Sequence, residues 1–301
     1  MSDLNKPIFQ DADKAREFLE TQRWPNGAFC PHCGEAEQVT KLEGKAHRAG
    51  VYQCNSCREQ FTVTVGTVFE RSKIELNKWL LVTFLLSASK KGMSAHQIHR
   101  MLGVTYKTAW FMCHRIREAM KQDGGGFLGG PTKPVEVDET YWGNNDKLKP
   151  GARGGSHKMK IVSLVERDGD KRSFHVPNVT AKTLRPILTK HIAKKAKLMT
   201  DEAAVYPKLS NDFAAHGVVN HSIKQYVKGD CTTNTVESSF ALLKRGLIGT
   251  FHHVSEAHLQ RYADEFDFRW NHRKTTDMER AQAALKGIGG KRLTYRPTHA
   301  E

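Results

Sequence analysis

The chain has 301 residues, 39% of them hydrophobic and 26% charged, with a formal net charge of +15 and a pI near 9.6. That length buries a real core with room for two or three domains, and the balance excludes a disordered chain or a fibre. The excess of Lys and Arg points to a polyanionic partner, nucleic acid before membrane: the longest apolar run, Trp79 to Leu86, is far too short to cross a bilayer, and the acidic opening MSDLNKPIFQDAD is no signal peptide.

Residues 1–23 read as one short bracing helix, Asp13 to Glu20, packing through Ala15, Phe18 and Leu19. Of six cysteines, four form two C-x-x-C pairs, while Cys113 and Cys231 stand alone in helix-like sequence. A disulfide framework does not suit a basic chain of this size, so the expectation is a reducing, cytoplasmic compartment and four metal ligands. Cys30, Cys33, Cys54 and Cys57, on two knuckles, ask for one tetrahedral structural Zn²⁺. Short strands at Gln38 to Leu42, Val51 to Gln53 and Gln60 to Val65 complete a zinc ribbon over residues 24–70, with His32 and His47 as non-ligands. A redox C-x-x-C needs only one pair, in a thioredoxin-like setting absent here. So small a domain takes much of its folding energy from the metal.

Residues 71–121 read as helices. Leu76, Trp79, Leu80 and Phe84 recur at helical spacing; a short helix carries Ile98 and Met101, and a longer one from Thr105 to Met120 buries Ala109, Met112, Ile116 and Met120. Two helices joined across Gly103 make a helix-turn-helix-like DNA-binding region, with Tyr106, Lys107, Thr108, Arg115 and Arg117 on its DNA-facing side; an ordinary helical hairpin gives the same pattern. Residues 122–133, QDGGGFLGGPTK, read as a glycine-rich linker and the main domain boundary.

Residues 134–275 form the expected catalytic domain. In PVEVDETYWG the β-branched Val135 and Val137 alternate with acids, a strand delivering Asp138 and Glu139 at its C-terminal end. The loop 144–157 is basic and glycine-rich but lacks P-loop spacing; it reads as a phosphate-backbone contact or a solvated segment. Lys160 to Glu166 and Lys171 to Val176 read as strands, Thr180 to Lys195 as a helix broken or begun near Pro186, and Ala196 to Thr200 as a strand ending at Asp201. Three antiparallel strands, a helix and a parallel strand ending in a carboxylate is the order of an RNase H-like fold. The fold class is therefore α/β, an RNase H-like mixed sheet flanked by helices, preceded by the zinc ribbon and the helix-turn-helix-like region.

In NTVESSFALLKRGLIG a helix carries Glu237, and the spacing from Asn234 is that of a capping box. Lys244 lies two turns further along the same face, which a cap alone leaves unexplained. Three carboxylates from distant elements repel one another unless a hard cation neutralises them. Beyond them, His252 and His253 suit DNA contact or packing; Leu259, Tyr262, Phe266 and Trp270 mark a helix from Ser255 to Trp270 that crosses the sheet; and Asn271, His272 and Arg273 follow in a loop. Residues 276–301 read as a C-terminal helix, Met278 to Ile288, and a basic tail.

Through the ribbon and the motifs VEVDETYWG, LMTDEAAVY, NTVESSFALLKRGLIGTFHHVS and HLQRYADEFDFRWNHR, the chain resembles the transposases of the IS1595 group, which carry the ISXO2-like form of the DDE domain. The resemblance implies an insertion-sequence transposase that binds terminal inverted repeats. It places the first carboxylate at Asp138, the second at Asp201 and the third, acidic or amide, position at Glu237 or Asn234, with Lys244 following; Glu237 is favoured because a carboxylate is the better ligand for a hard cation. Two Mg²⁺ (or Mn²⁺) ions would be held there for DNA cleavage and strand transfer, with Lys244 and Arg245 contacting DNA. Double-stranded DNA, both transposon ends and target, is the implied partner, with a homo-oligomer on DNA, no membrane, and a bacterial, nucleoid-associated location. The rival expectations are a non-enzymatic zinc-ribbon regulator with structural acids, and an RNase H-like nuclease that cuts without joining.

Overall fold

The computed structural model describes residues 3–122, 124–143 and 157–294. It divides into two units, Met1–Lys121 with Lys274–Glu301, and Gln122–Arg273.

In the first unit, α1 (Ala12–Arg23) starts at Asp11, whose carboxylate accepts the Asp13 and Lys14 N–H groups. It ends on Arg23, whose guanidinium donates to the Val63 and Val65 carbonyls at 2.6 and 2.7 Å and so ties the helix to the ribbon. Burial lowers the Arg23 pKa to about 10. The ribbon is an antiparallel sheet of β1 (Val39–Lys41), β2 (Tyr52–Cys54) and β3 (Gln60–Phe61), in that order. The third strand is shorter than the sequence suggested because the chain turns at once, Val65 N–H reaching back to the Thr62 carbonyl. Trp24, Tyr52 and Phe61 pack ring against ring as its small apolar interior.

The helices α2 (Leu76–Ala88), α3 (Ala95–Leu102) and α4 (Tyr106–Met120) follow. Ser94 and Thr105 cap the last two, and Gly103 closes α3 in the left-handed conformation at φ +64°. A fifth α-helix of this unit, α8 (Asp277–Lys286), opens with a capping box between Thr276 and Glu279 and packs on α2. Gly287 then passes so close to α4 that a Cβ would stand 2.3 Å from the Ala119 carbonyl oxygen. Thr67 and Gly289 pair as a β-bridge, so the C-terminal segment, expected to stand apart, is built into the first unit. An Ala-rich apolar stripe does not name its partner, which is why sequence left it separate.

The second unit is a five-stranded mixed sheet in the order β6-β5-β4-β7-β8: β4 (Val135–Trp142), β5 (Met159–Glu166), β6 (Lys171–Val176), β7 (Lys197–Thr200) and β8 (Ala215–Val218). The first three are antiparallel neighbours, whereas β7 runs parallel to β4 and β8 parallel to β7. One face buries Val135, Val137, Val162 and Leu164 against Leu184 and Leu188 of α5 (Ala181–His191). The other buries Ile161 and Val165 against Val236, Phe240 and Leu243 of α6 (Asn234–Gly246) and Leu259 of α7 (Glu256–Asn271). Covering both faces explains why β5 carries apolar residues on each of them, Val162 and Leu164 on one and Ile161 and Val165 on the other. The buried Lys171 ammonium meets Asp267 of α7 at 3.2 Å, and Ser173 donates to the same carboxylate at 2.8 Å, fixing α7 on the sheet.

Some expectations change. The helix expected to break or begin near Pro186 runs through that exposed residue and stops at His191, because Ile192 and Ala193 turn to pair with Leu128. Leu128 is thereby buried, so the glycine-rich stretch read as a linker docks on this unit rather than hanging free. Cys231 lies on a strand, β10 (Cys231–Thr232), paired with β9 (Val227–Lys228) rather than on a helix. Most of the basic loop after β4 and the end of the C-terminal tail, residues 144–156 and 295–301, lie outside the described residues.

Candidate active site

The register of β4 on β7 sets Val135 beside Leu198 and Glu136 beside Met199, so continuing it two residues brings Asp138, midway along β4, opposite Asp201, just past the end of β7. Strand parity then decides which acid faces which helix. Glu136 and Asp138 share the face covered by α6; Glu139 turns to the other face, where the buried Tyr206 hydroxyl donates to it at 2.5 Å.

Glu237 arrives in the first turn of α6. Its Oε1 accepts the Thr233 hydroxyl at 2.8 Å and stands 3.2 Å from Nε2 of His221. The capping box that the Asn234–Glu237 spacing allowed as an alternative is not formed: Asn234 is already inside the helix and exposed, and Thr233 at the cap makes no side-chain cap bond. The orphan donors at this end go to Glu136, a fully buried carboxylate 99 positions upstream of Thr235 that accepts the Thr235 N–H at 2.8 Å, the Thr235 hydroxyl at 2.9 Å and the Val236 N–H at 3.0 Å. Arg167 pairs with the same carboxylate at 3.2 Å.

The electrostatics show these acids acting on one another. Burial first, then Glu139, Asp201 and Glu237, push the Asp138 carboxyl up to about 7. Burial, Glu202 and Glu237 raise Asp201 as well, against the Ala203 N–H and His221, which favour its ionised form. Burial and Asp201 likewise raise Glu139, although Tyr206 opposes the shift. Glu202, beside them in sequence, goes the opposite way, held at about 2 by the Ser222 hydroxyl and the N–H groups of His221 and Ser222. Partly buried carboxylates that raise one another's pKa form an all-oxygen donor set, the chemistry a hard divalent cation takes and a soft one does not. Their oxygens are more widely spread than the ribbon thiols, which form the only group of three or more possible ligands within 4.8 Å of one another among the described residues.

That second group is Cys30, Cys33, Cys54 and Cys57, none of them in a disulfide. Cys30 Sγ lies 3.6 Å from Cys57 Sγ, and Cys33 Sγ lies 3.6 Å from Cys54 Sγ, close to the roughly 3.8 Å edge of a tetrahedron with 2.3 Å Zn–S bonds. The two knuckles repeat one backbone device. Gly34 N–H returns to the Cys30 carbonyl and Arg58 N–H to the Cys54 carbonyl, each at 2.9 Å, with both donors at positive φ. The site fits one structural Zn²⁺.

The residues expected to face DNA separate into two groups. Tyr106 and Lys107 are exposed, the tyrosine ring stacked on His96 at 4.2 Å, and Thr108 is half-buried against the Thr105 hydroxyl. Arg115 and Arg117 are corrections, being only 6% and 2% exposed. Arg115 donates to the Glu70 carbonyl at 2.6 Å and lies over the Trp79 and Phe111 rings, so its charge holds the helices together. On α6, Lys244 is half-buried, and Arg245 is exposed with its Nε on the Ala241 carbonyl.

Sequence reasoning missed Glu136, Tyr206 and His221. Parity was the available signal for Glu136, which sits two residues before Asp138 in a strand and so shares its face. No local pattern announces the other two.

Residues 127–271 match the ISXO2-like transposase domain, and residues 10–60 match the transposase zinc-ribbon domain. A protein of Halobacterium salinarum, described as an uncharacterized protein in transposable element ISH50, is 28% identical over 283 residues, 87% of this chain and 91% of its own length.

Proposed function

Because the chain belongs to the IS1595 family, with an ISXO2-like transposase domain behind a transposase zinc ribbon, we propose that it is the DDE transposase of an insertion sequence, cutting DNA at the element's ends and joining the freed ends to target DNA. The reading is carried by one observation: the parallel register of β4 and β7 sets Asp138, within β4, opposite Asp201, just past the end of β7, and both feel the charge of Glu237 from the helix clamped beside them. The strand order and directions of the second unit support the RNase H-like description of its fold.

Asp138, Asp201 and Glu237 would hold the divalent ions. Those ions, when bound, activate the attacking oxygen and neutralise charge on the leaving one. The chain's own part is positional. Asp138 from within β4 and Asp201 from just past the end of β7 meet a phosphodiester, and Glu237 closes the site from α6, its orientation fixed by Thr233 and His221. Lys244, two turns along the same helix, positions a phosphate as a single charge without reading bases. The nucleophiles are water in cleavage and a DNA 3′-hydroxyl in joining, so no covalent enzyme intermediate is formed. The zinc ribbon and the α3–α4 pair supply DNA binding, with Lys107 and Tyr106 as the exposed contacts, and assembly of two copies brings the two ends together.

A labelled element end, a supercoiled plasmid and Mg²⁺ or Mn²⁺ test this directly. The transposase yields joined product, a nuclease only cut ends, and a regulator neither. Asp138→Asn and Asp201→Asn are expected to fold and bind DNA yet cleave nothing; an active purified variant of either overturns the assignment.

A further inference from the structure

The chain between β8 and α6 turns back beside the carboxylates and is pinned at both sides. Glu202, next to Asp201, accepts the N–H groups of His221 and Ser222 at 2.9 and 3.0 Å and the Ser222 hydroxyl at 2.6 Å. The His221 ring reaches the other way, to Glu237. Asn220 and Gln225 close the turn as an antiparallel bridge. What this fixed loop presents outward is apolar: Ile223 is 69% exposed, Tyr226 51% and Val227 56%. Single exposed hydrophobics are ordinary, but three within five residues on an anchored loop beside an acidic site mark an interaction surface.

Charge identifies the partner. Glu202 is taken up by the loop's own donors, and Asp230 is bound by Lys197 at 2.6 Å. Lys224 and Lys228, both exposed, therefore set the sign of the surface. The Tyr226 ring lies 5.2 Å from that of His221, which holds it upright while leaving half of it to solvent. Apolar wedges and an aromatic face interleaved with lysines are the equipment for an unstacked base and its phosphates. A second copy of this net-positive chain would leave both lysines unneutralised.

Resting on the transposase reading, we infer that the 220–228 loop is a wedge that unpairs the DNA end next to the scissile phosphate. Ile223 enters the base step, Tyr226 stacks on the freed base, and Lys224 and Lys228 hold the adjoining phosphates. Unpairing frees one strand from the duplex, so that its phosphate alone is delivered to Asp138, Asp201 and Glu237.

The test uses the full-length chain and two duplexes of the element's end, one fully paired and one with the terminal pairs mismatched. Ile223→Ala and Tyr226→Ala, both at exposed positions, are expected to slow cleavage of the paired duplex by about tenfold or more and to recover to within about twofold of wild type on the mismatched one. In an Asp138→Asn background that binds without cutting, 2-aminopurine opposite the freed base, which loses its pair without meeting Tyr226, is expected to brighten on binding, and to stay quenched when Ile223→Ala is added. Equal effects on both duplexes, no effect on either, or loss of a dimer without any change in base fluorescence overturns the wedge. If wild type shows no Asp138-dependent cleavage, the transposase reading fails by itself, and the fluorescence still decides whether this loop opens DNA.

Discussion

The carboxylate of Glu136 accepts the Thr235 N–H at 2.8 Å, joining strand β4 to the first turn of α6. Asp138 lies two residues beyond one partner and Glu237 two residues beyond the other. One buried acid therefore sets the spacing between two members of the candidate metal site without touching the metal itself. It also takes the place of a local cap, since Thr233 offers none.

Removing this clamp is expected to cost both stability and metal affinity. Glu136→Ala strands two buried N–H groups and the Arg167 charge, a loss of about 3–5 kcal/mol read by urea denaturation. Glu136→Gln keeps one acceptor oxygen but turns an amide donor toward other donors, a loss of about 1–3 kcal/mol. The glutamine variant is expected to need more Mg²⁺ for half-maximal cleavage; an unchanged Mg²⁺ requirement would restrict Glu136 to a purely structural role.

A second expectation concerns pH. The Asp138 carboxyl sits at about 7 in the folded chain against an ordinary 3.8, so its ionised form opposes folding. Between those values the folded chain holds a proton that the unfolded chain has lost, and stability falls as pH rises through the window. The full cost, with a linkage ceiling of about 4 kcal/mol, is present above pH 7 and absent below about pH 4. In EDTA, Asp138→Asn is therefore expected to melt above wild type at pH 8, with the gap closing toward pH 4. Mg²⁺ is expected to raise the wild-type midpoint and leave the asparagine variant unmoved. A wild-type advantage at pH 8 in EDTA would contradict the electrostatic picture.

Alternation and cysteine spacing made much of this legible in sequence. Val135 and Val137 gave β4, although the strand runs on to Trp142 instead of ending at Asp138 and Glu139; the four cysteines gave the ribbon; and Leu259, Tyr262 and Phe266 gave α7. What stayed hidden depends on partners distant in the chain. Arg115 and Arg117 looked like a basic helix face because sequence carries charge but not burial, and Arg115 is held by Glu70, 45 positions away. The Asn234–Glu237 spacing mimicked a cap because the true one comes from another element. Residues 122–133 looked free because a buried Leu128 among glycines is a signal of one residue.

Metal removal should separate the two units. Four thiolates close the ribbon around an interior of few aromatic rings, so chelation or Cys54→Ser is expected to remove one equivalent of zinc and unfold residues 24–70. The sheet of the second unit has its own cores on both faces, and its hydrogen-exchange protection is expected to persist. Exchange rising equally in β5 and in β2 would show that the units do not fold independently.

The same contrast between buried and exposed cations gives the last expectation, on α4. Lys107 is exposed near the start of the helix, whereas Arg117 is 2% exposed near its end. If Lys107 meets a DNA phosphate, Lys107→Ala should weaken binding to all sequences alike, flatten the salt dependence of log K against log [salt] by about one unit, and lower the melting temperature far less than loss of the buried Arg117 does. Arg117→Ala should do the reverse, lowering stability by about 2–4 kcal/mol through the lost packing and the acceptors left without their donor, with the salt slope intact in whatever fraction remains folded. Fluorescence anisotropy across a salt series, read beside thermal melts, distinguishes the two. A salt slope that drops for Arg117→Ala with no loss of stability would return that residue to the DNA surface.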